Sequence, residues 1–397
     1  MGRTSMKKER SPGRDLAVLY LSMTLTRIGF GVIIIIFPAY LLGVSDIELA
    51  VALALYPVLE AFSAIPVGRL CDTRGRKRVF VFALAYVAIL TGAIGVTRNL
   101  YFVATVHALM GIGAAGVTVS SLTMITDATN LGNRGKGMGL FDFSNIGGYA
   151  AGVLVGGGLH TYFASQLGYA FAVTGGAIAA ALLVSTILLR EPPHQIKREA
   201  VLVNPLRALD ARTKAILPVW LALTAMIGIA FYLPRALSSL GFEATTTSYV
   251  LFVGVAGLGV GSVGFGALSD KIGREKVLLV GVVGLLGLLL SLATTLSGGA
   301  TIDTLVHNLY IIAPFAFATS ALVPSILATV GDRARQEMRG SAMGIYSVML
   351  SGGIAFGTLV AGFAHTMGGL PAILYAGAVI FLAACLVSLF LTRRLKS

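Results

Sequence analysis

Apolar stretches of about 20 residues recur along the whole of this 397-residue chain, and no other feature limits its fold so strongly. Each is long enough to cross the hydrocarbon core of a bilayer as a helix. Inside lipid every backbone N–H and C=O must find its partner within the segment, which leaves helices as the spanning element here. Composition points the same way. Only 12% of the residues are charged, about half of what a water-facing domain carries. The runs predict twelve spans, at 16–42, 49–69, 79–97, 100–126, 137–160, 168–189, 215–237, 246–268, 277–296, 304–330, 340–362 and 370–391.

The expected fold is therefore an all-α membrane protein of twelve transmembrane helices in two pseudo-symmetric six-helix bundles. Most connections are short. The exception is 190–214, a polar, proline-bearing stretch near the middle of the chain. It divides a bundle at 16–189 from a second at 215–391, with tails at 1–15 and 392–397. Lysine and arginine set the orientation. With the N-terminus in the cytoplasm and the spans alternating, 27 of the 30 basic residues fall on the cytoplasmic side. Arg27, Arg98 and Arg235 are the remainder, so both termini are expected in the cytoplasm and the chain in the cell membrane. The first span lacks a convincing cleavage site and reads as a retained helix.

The net charge of +13 does not imply nucleic acid, because the basic residues form short clusters between spans and not a groove-sized face. Cys71 and Cys385 offer neither a disulfide framework nor metal-ligand spacing. "GIGAAG" (111–116) and "GVGSVG" (259–264) fit a dinucleotide-binding pattern, but each lies within an apolar span where close helix packing explains the glycines better. No ATP-binding G-x-x-x-x-G-K-[ST] and no hydrolase signature is present. No cofactor, metal or enzymatic activity is expected.

The chain also repeats itself. "GRLCDTRGRKRV" (68–79) has a paler copy in "GALSDKIGREKV" (266–277), with Asp72 matching Asp270. "NRGKGMGLFDFSNIGGYAAGVLVGG" (133–157) aligns with "MRGSAMGIYSVMLSGGIAFGTLVAG" (338–362), pairing Gly148 with Gly353 and Gly152 with Gly357. Asp127 and Asp332 keep that second offset. Two parallel six-helix repeats are a transporter architecture, with the substrate site expected between the halves near the midplane.

Charges inside spans are costly and so are functional candidates. Arg27 lies about 16 Å along the first span and Glu60 about 14 Å from the inner end of the second. At matching depth they are expected to satisfy each other, either as a structural ion pair or as a pair for which a proton or anionic substrate competes. Asp142 is a proton or cation site, or a residue near the start of its helix reaching for water. His107 is a titrating group or a polar contact near a helix end. Arg235 is an interface anchor or a gate residue, and Pro234 before it suggests a broken or kinked helix end. Tyr232, Phe231, Trp220 and Tyr346 are cavity-lining aromatics or packing.

On these residues the chain resembles the major facilitator superfamily over essentially its full length. Gly68, Asp72, Arg74, Gly75, Arg76 and Lys77 stand where that family has its signature loop between the second and third helices. Gly266, Asp270, Gly273 and Arg274 are similar to the version in the second half. "GYAAGVLVGG" (148–157), with Gly148, Gly152 and Gly156, resembles the fifth-helix glycine motif of its exporters, although Val153 replaces a proline. "HALMGIGAAG" (107–116) is similar to their fourth-helix motif, with His107 in place of a buried arginine. The resemblance implies a pair of cytoplasmic latches that hold the outward-open state, with Asp127 expected to pair with Arg74 and Asp332 with Arg274. A purely topogenic role would explain Arg76, Lys77 and Arg78 but not Gly68 or Asp72. It also implies a secondary active transporter working by alternating access, in the drug/proton antiporter branch, exporting small amphipathic or cationic compounds as a monomer. A uniporter or proton symporter importing sugars, carboxylates or amino acids, and a lipid or lysolipid exporter, share the same fold.

Overall fold

The computed structural model describes residues 12–129, 134–191, 211–297, 301–323, 325–326 and 339–395. The described residues form helices α1 (Pro12–Tyr40), α2 (Asp46–Arg74), α3 (Arg76–Ile94), α4 (Leu100–Ala128), α5 (Arg134–Tyr162) and α6 (Gly168–Leu188) in the first half. The second half contains α7 (Ala211–Ser238), α8 (Ala244–Ile272), α9 (Arg274–Ser297), α10 (Ile302–His307), α11 (Leu309–Thr319) and α12 (Arg339–Arg394). Among the described residues nine helices are long and apolar enough to cross a membrane. One of them, the described part of α12, holds two passes, because non-helical Gly368 and Gly369 break it. Large apolar side chains such as Phe62, Phe82, Val260 and Val379 stand on the outside, as lipid-facing surfaces require.

The repeat is visible in the backbone. α2 passes into α3 through the single residue Gly75, with φ of +98°, and α8 passes into α9 through Gly273, with φ of +96°. Only glycine reaches such angles without steric cost, so the helix can stop and restart within one residue. Gly43 and Gly241, at φ of +92° and +84°, turn the chain at the opposite ends of α2 and α8. Side chains cap the starts of α2 and α4. Ser45 and Glu48 form a reciprocal capping box on α2, and the Asn99 side chain accepts from the Phe102 N–H at the start of α4.

Two expectations about boundaries change. The predicted span 304–330 is interrupted in its described part. Asn308 separates α10 from α11, its side-chain amide donating to the Thr304 carbonyl at 2.8 Å and so closing off the first helix. By contrast α7 does not end at Pro234 but continues to Ser238.

In the first half α1 packs on α5 and α6, α2 on α4, and α3 on α4 and α6; in the second, α12 packs on α7 and α9, and α11 on α9. Between the halves α2 lies against α12, α5 against α8, and α1 touches α7. These contacts frame the site.

Candidate functional site

The glycines expected to matter let the site's helices approach. A Cβ on Gly148 would stand 2.6 Å from Arg27 Cβ, and one on Gly152 would stand 2.8 Å from Gly31 Cα, so α1 and α5 run almost backbone to backbone. Gly156 continues the stripe against Val32. The second half repeats this device: Gly353 faces Thr224 of α7 and Gly357 faces the Ala225 backbone. Arg27 and Thr224 therefore occupy corresponding places, and the fold itself does not demand a charge there. Gly111 does the same for α2 and α4, approaching the Glu60 backbone N–H at 2.9 Å from its would-be Cβ.

These approaches assemble a buried polar chain. Arg27 Nε donates to Asn145 Oδ1 at 2.6 Å, Nη1 to the Tyr149 hydroxyl at 3.3 Å and Nη2 to Thr118 Oγ1 at 2.9 Å. The guanidinium also lies over the Phe30 and Tyr149 rings, 5.4 and 5.5 Å from their centroids, a favourable cation–π placement. Glu60 is not in direct contact with Arg27, contrary to expectation. Thr118 stands between them and donates to Glu60 Oε1 at 3.5 Å. The Glu60 carboxylate also faces Ser351 on α12, in the other half of the protein. Asn145, Thr118, Tyr149 and Ser351 have no signal in the sequence beyond being polar residues within apolar spans.

Beside this chain is a cavity of about 40 Å³ lined by Phe30, Tyr56, His107, Met110, Tyr149 and Phe231, among other residues. Phe231 comes from α7, its ring centroid 6.0 Å from that of Tyr149, so the cavity straddles the halves. Among the described residues the Tyr56 hydroxyl is buried without a hydrogen-bond partner. Buried hydroxyls are rarely left so, and this one borders the cavity. The volume suits a water molecule, not a drug-sized ligand of several hundred Å³; a substrate requires the halves to part. His107 is buried in packing: it stacks on Tyr56 at 5.1 Å, lies 4.5 Å from Phe37, and its Nδ1 is bonded to the Ala52 carbonyl at 3.0 Å. Trp220 is likewise buried, within the second half.

At the helix ends opposite the basic loops a second cluster joins the halves. Asp46 Oδ1 accepts from Arg235 Nε at 2.9 Å, and Asp46 Oδ2 is 2.8 Å from His365 Nδ1. Arg235 Nη2 also donates to the Val44 carbonyl at 3.1 Å, and the Tyr232 hydroxyl to the Asp46 carbonyl at 3.3 Å. Tyr232 thus belongs to this closure and not to the central cavity. Nearby, would-be Cβ atoms on Gly362 and Gly157 meet the Asp46 carbonyl and Ser248 across the boundary. This end of the molecule is shut.

At the basic end Arg76, not Arg74, is the organising residue. Its side chain pairs with Asp127 at 3.0 Å and Asp72 at 3.3 Å, and it is buried, whereas Arg74 is exposed. Arg74 ends α2 and Arg76 begins α3 beyond the break at Gly75, so the two side chains leave different helices and only Arg76 is turned towards Asp127. Glu191, not anticipated, accepts from the Arg76 and Lys77 backbone N–H groups at 2.6 and 2.9 Å and so closes the start of α3. A Cβ on Gly68 would only just touch Val119 of α4. Arg274 begins α9 directly after the Gly273 hinge. Asp332 lies outside the described residues, as do the side chains of Asp142, Asp270 and Tyr346.

Repeated sets of apolar helices that enclose a charged chain and an aromatic cavity at their boundary define a multi-pass membrane transporter. The sequence model of the Major Facilitator Superfamily matches residues 19–318 and 309–397, and the chain belongs to that superfamily. It is 26% identical to a multi-drug resistance efflux pump PmrA homolog of Lactococcus lactis, over 68% of this chain and 70% of that protein. It is also 26% identical to the class H tetracycline resistance protein of Pasteurella multocida, over 84% and 86%. Among solved structures, an inward-facing, occupied bacterial homolog of the human lysosomal transporter Spinster superposes with a TM-score of 0.77 at 18% identity, covering 95% of this chain and 96% of that one.

Proposed function

We propose that this transporter is a proton-coupled exporter of small amphipathic or cationic compounds, a monomer of the cell membrane with both termini in the cytoplasm. The efflux pump and tetracycline resistance protein among its relatives support the export reading. The observation that carries the coupling is the chain from Arg27 through Thr118 to Glu60, which reaches Ser351 across the boundary between the halves. A carboxylate at the boundary between the halves is a natural point at which a proton acts on their separation. Protonating Glu60 removes a charge, weakens its hold on Thr118 and leaves Arg27 without its counter-charge. The cost of moving the halves then changes with proton occupancy.

With the basic end in the cytoplasm, the shut end faces outside. The clusters at 68–78 and 266–274 serve as the cytoplasmic closure in the opposite conformation. The substrate lies against the aromatic wall of Phe30, Tyr56, Tyr149 and Phe231, with the Tyr56 hydroxyl as its polar contact. Asp142 is a second candidate for the proton.

The test is transport of tetracycline and of a cationic dye by purified protein in liposomes under an imposed pH gradient. Glu60→Gln keeps the shape and removes the charge. Gradient-driven transport is expected to disappear while substrate exchange at equal pH persists. Undiminished gradient-driven transport in that variant would remove Glu60 from the coupling.

A further inference from the structure

The central site does not account for His365. We propose that His365 is an external proton-binding site, and that a proton bound there locks the outer end of the transporter shut. The proposal rests on the orientation given above, which places this end outside the cell.

Each ring nitrogen of His365 faces a different partner. Nδ1 is 2.8 Å from Asp46 Oδ2, an acceptor only, so Nδ1 carries a hydrogen. Nε2 is 3.1 Å from the Ser239 hydroxyl oxygen. That hydroxyl also lies 2.8 Å from the Ala236 carbonyl of its own helix and donates to it. A hydroxyl has one hydrogen. If it goes to the carbonyl, Ser239 presents a lone pair to Nε2, and Nε2 must carry a hydrogen too. Every bond in the set is made only when the imidazole is protonated at both nitrogens. With neutral His365, either the Ala236 carbonyl or Nε2 loses its partner.

Among the described residues the ring meets Asp46 of α2 and Tyr232 and Ser239 of α7, and Arg235 of α7 shares the Asp46 carboxylate with it. Tyr232 meets it edge-on at 5.7 Å. Arg235 is a permanent cation, but it occupies the other carboxylate oxygen, Oδ1, and leaves Oδ2 to the imidazole. The His365 side chain is only 7% exposed, which limits screening of its interaction with Asp46. The gate therefore has two legs. The Arg235–Asp46 leg is indifferent to pH, and the His365–Asp46 leg gains the strength of a charge-assisted bond on acidification. His365 lies on α12 and its partners on α2 and α7, so α2 of the first half is held by both legs to the second. By linkage, whatever binds the closed gate preferentially closes it. External acid favours the outer-closed state.

The test measures the distance across this end in the full-length protein in lipid nanodiscs, with no substrate and no gradient. Leu42 and Leu240, on exposed turns of the two halves, are replaced by labelled cysteines in a background lacking Cys71 and Cys385. Pulsed electron spin resonance then reads closed and open populations between pH 8 and pH 5.5. The closed-to-open ratio is expected to rise about 5- to 10-fold on acidification, a typical size for coupling between sites. His365→Gln should abolish that rise. Asp46→Asn, which keeps His365 but removes the charge it answers to, should abolish it as well. A response that survives in either variant, or one that disappears with His160 or His307 instead, overturns the proposal. Because no transport is measured, failure of the coupling at Glu60 leaves this outcome unaffected.

Discussion

Replacing Thr118 by valine isolates the bridge between the two buried charges. Valine matches threonine in shape and substitutes a methyl for the hydroxyl that accepts from Arg27 Nη2 at 2.9 Å and donates to Glu60 Oε1 at 3.5 Å. The longer bond is at the limit of useful geometry and contributes little. The shorter one is charge-assisted and buried. Hydrogen bonds within membrane proteins average only about 0.6 kcal/mol, with a maximum near 1.7, and a guanidinium donor places this one towards the top. Thr118→Val is therefore expected to cost about 1.5 kcal/mol, or roughly 10-fold in a rate or equilibrium that depends on the bridge. If the first bundle unfolds as a unit, the melting temperature of the purified protein falls by about 3–6 °C. Thr118→Ser supplies the comparison. It keeps the hydroxyl, loses one buried methyl worth about 0.8 kcal/mol, and should transport within about twofold of the parent under the same gradient. Equal transport by the valine and serine variants would refute the bridging role, whatever their melting temperatures.

Two further outcomes follow from the packing. His107→Phe keeps the stack on Tyr56 and Phe37 and gives up only the bond to the Ala52 carbonyl, so transport and its pH profile should stay within about twofold; a lost pH response would give His107 a titrating role. Gly152→Ala and Gly357→Ala each place a Cβ against the backbone of the facing helix, which no side-chain rotation relieves. Each should cost about 1–3 kcal/mol, read as a lower melting temperature, while Gly139→Ala, with nothing within 4 Å, should leave it unchanged.

The spans and the repeat were legible because lipid imposes them one segment at a time. An apolar run of bilayer length is a helix in any context, and glycines at matching places in both halves report close approach whatever the partner. Gly148 with Gly353 and Gly152 with Gly357 were readable as pairs, and each pair packs alike. The interruption at Asn308 was not legible, since one polar residue in an apolar run carries no boundary signal. Arg27 and Glu60 stood out because a charge in a span is rare. Asn145, Thr118 and Tyr149, which hold that arginine, are unremarkable in the sequence and acquire meaning only from the faces on which α4 and α5 present them.

The cluster at Asp46 shows the division most sharply. Asp46 lies 189 positions from Arg235 and 319 from His365, and in the sequence it is only a helix-starting acid after Ser45. Local chemistry determined that the chain spans a membrane, which helix ends are basic, and that its halves repeat. Tertiary structure decided that Arg76 and not Arg74 meets Asp127, that Thr118 separates Arg27 from Glu60, and that Asp46 joins the halves. Spans and charge clusters are properties of single segments facing one solvent, whereas pairing depends on how each helix is rotated about its axis. That rotation is set only when its neighbours pack.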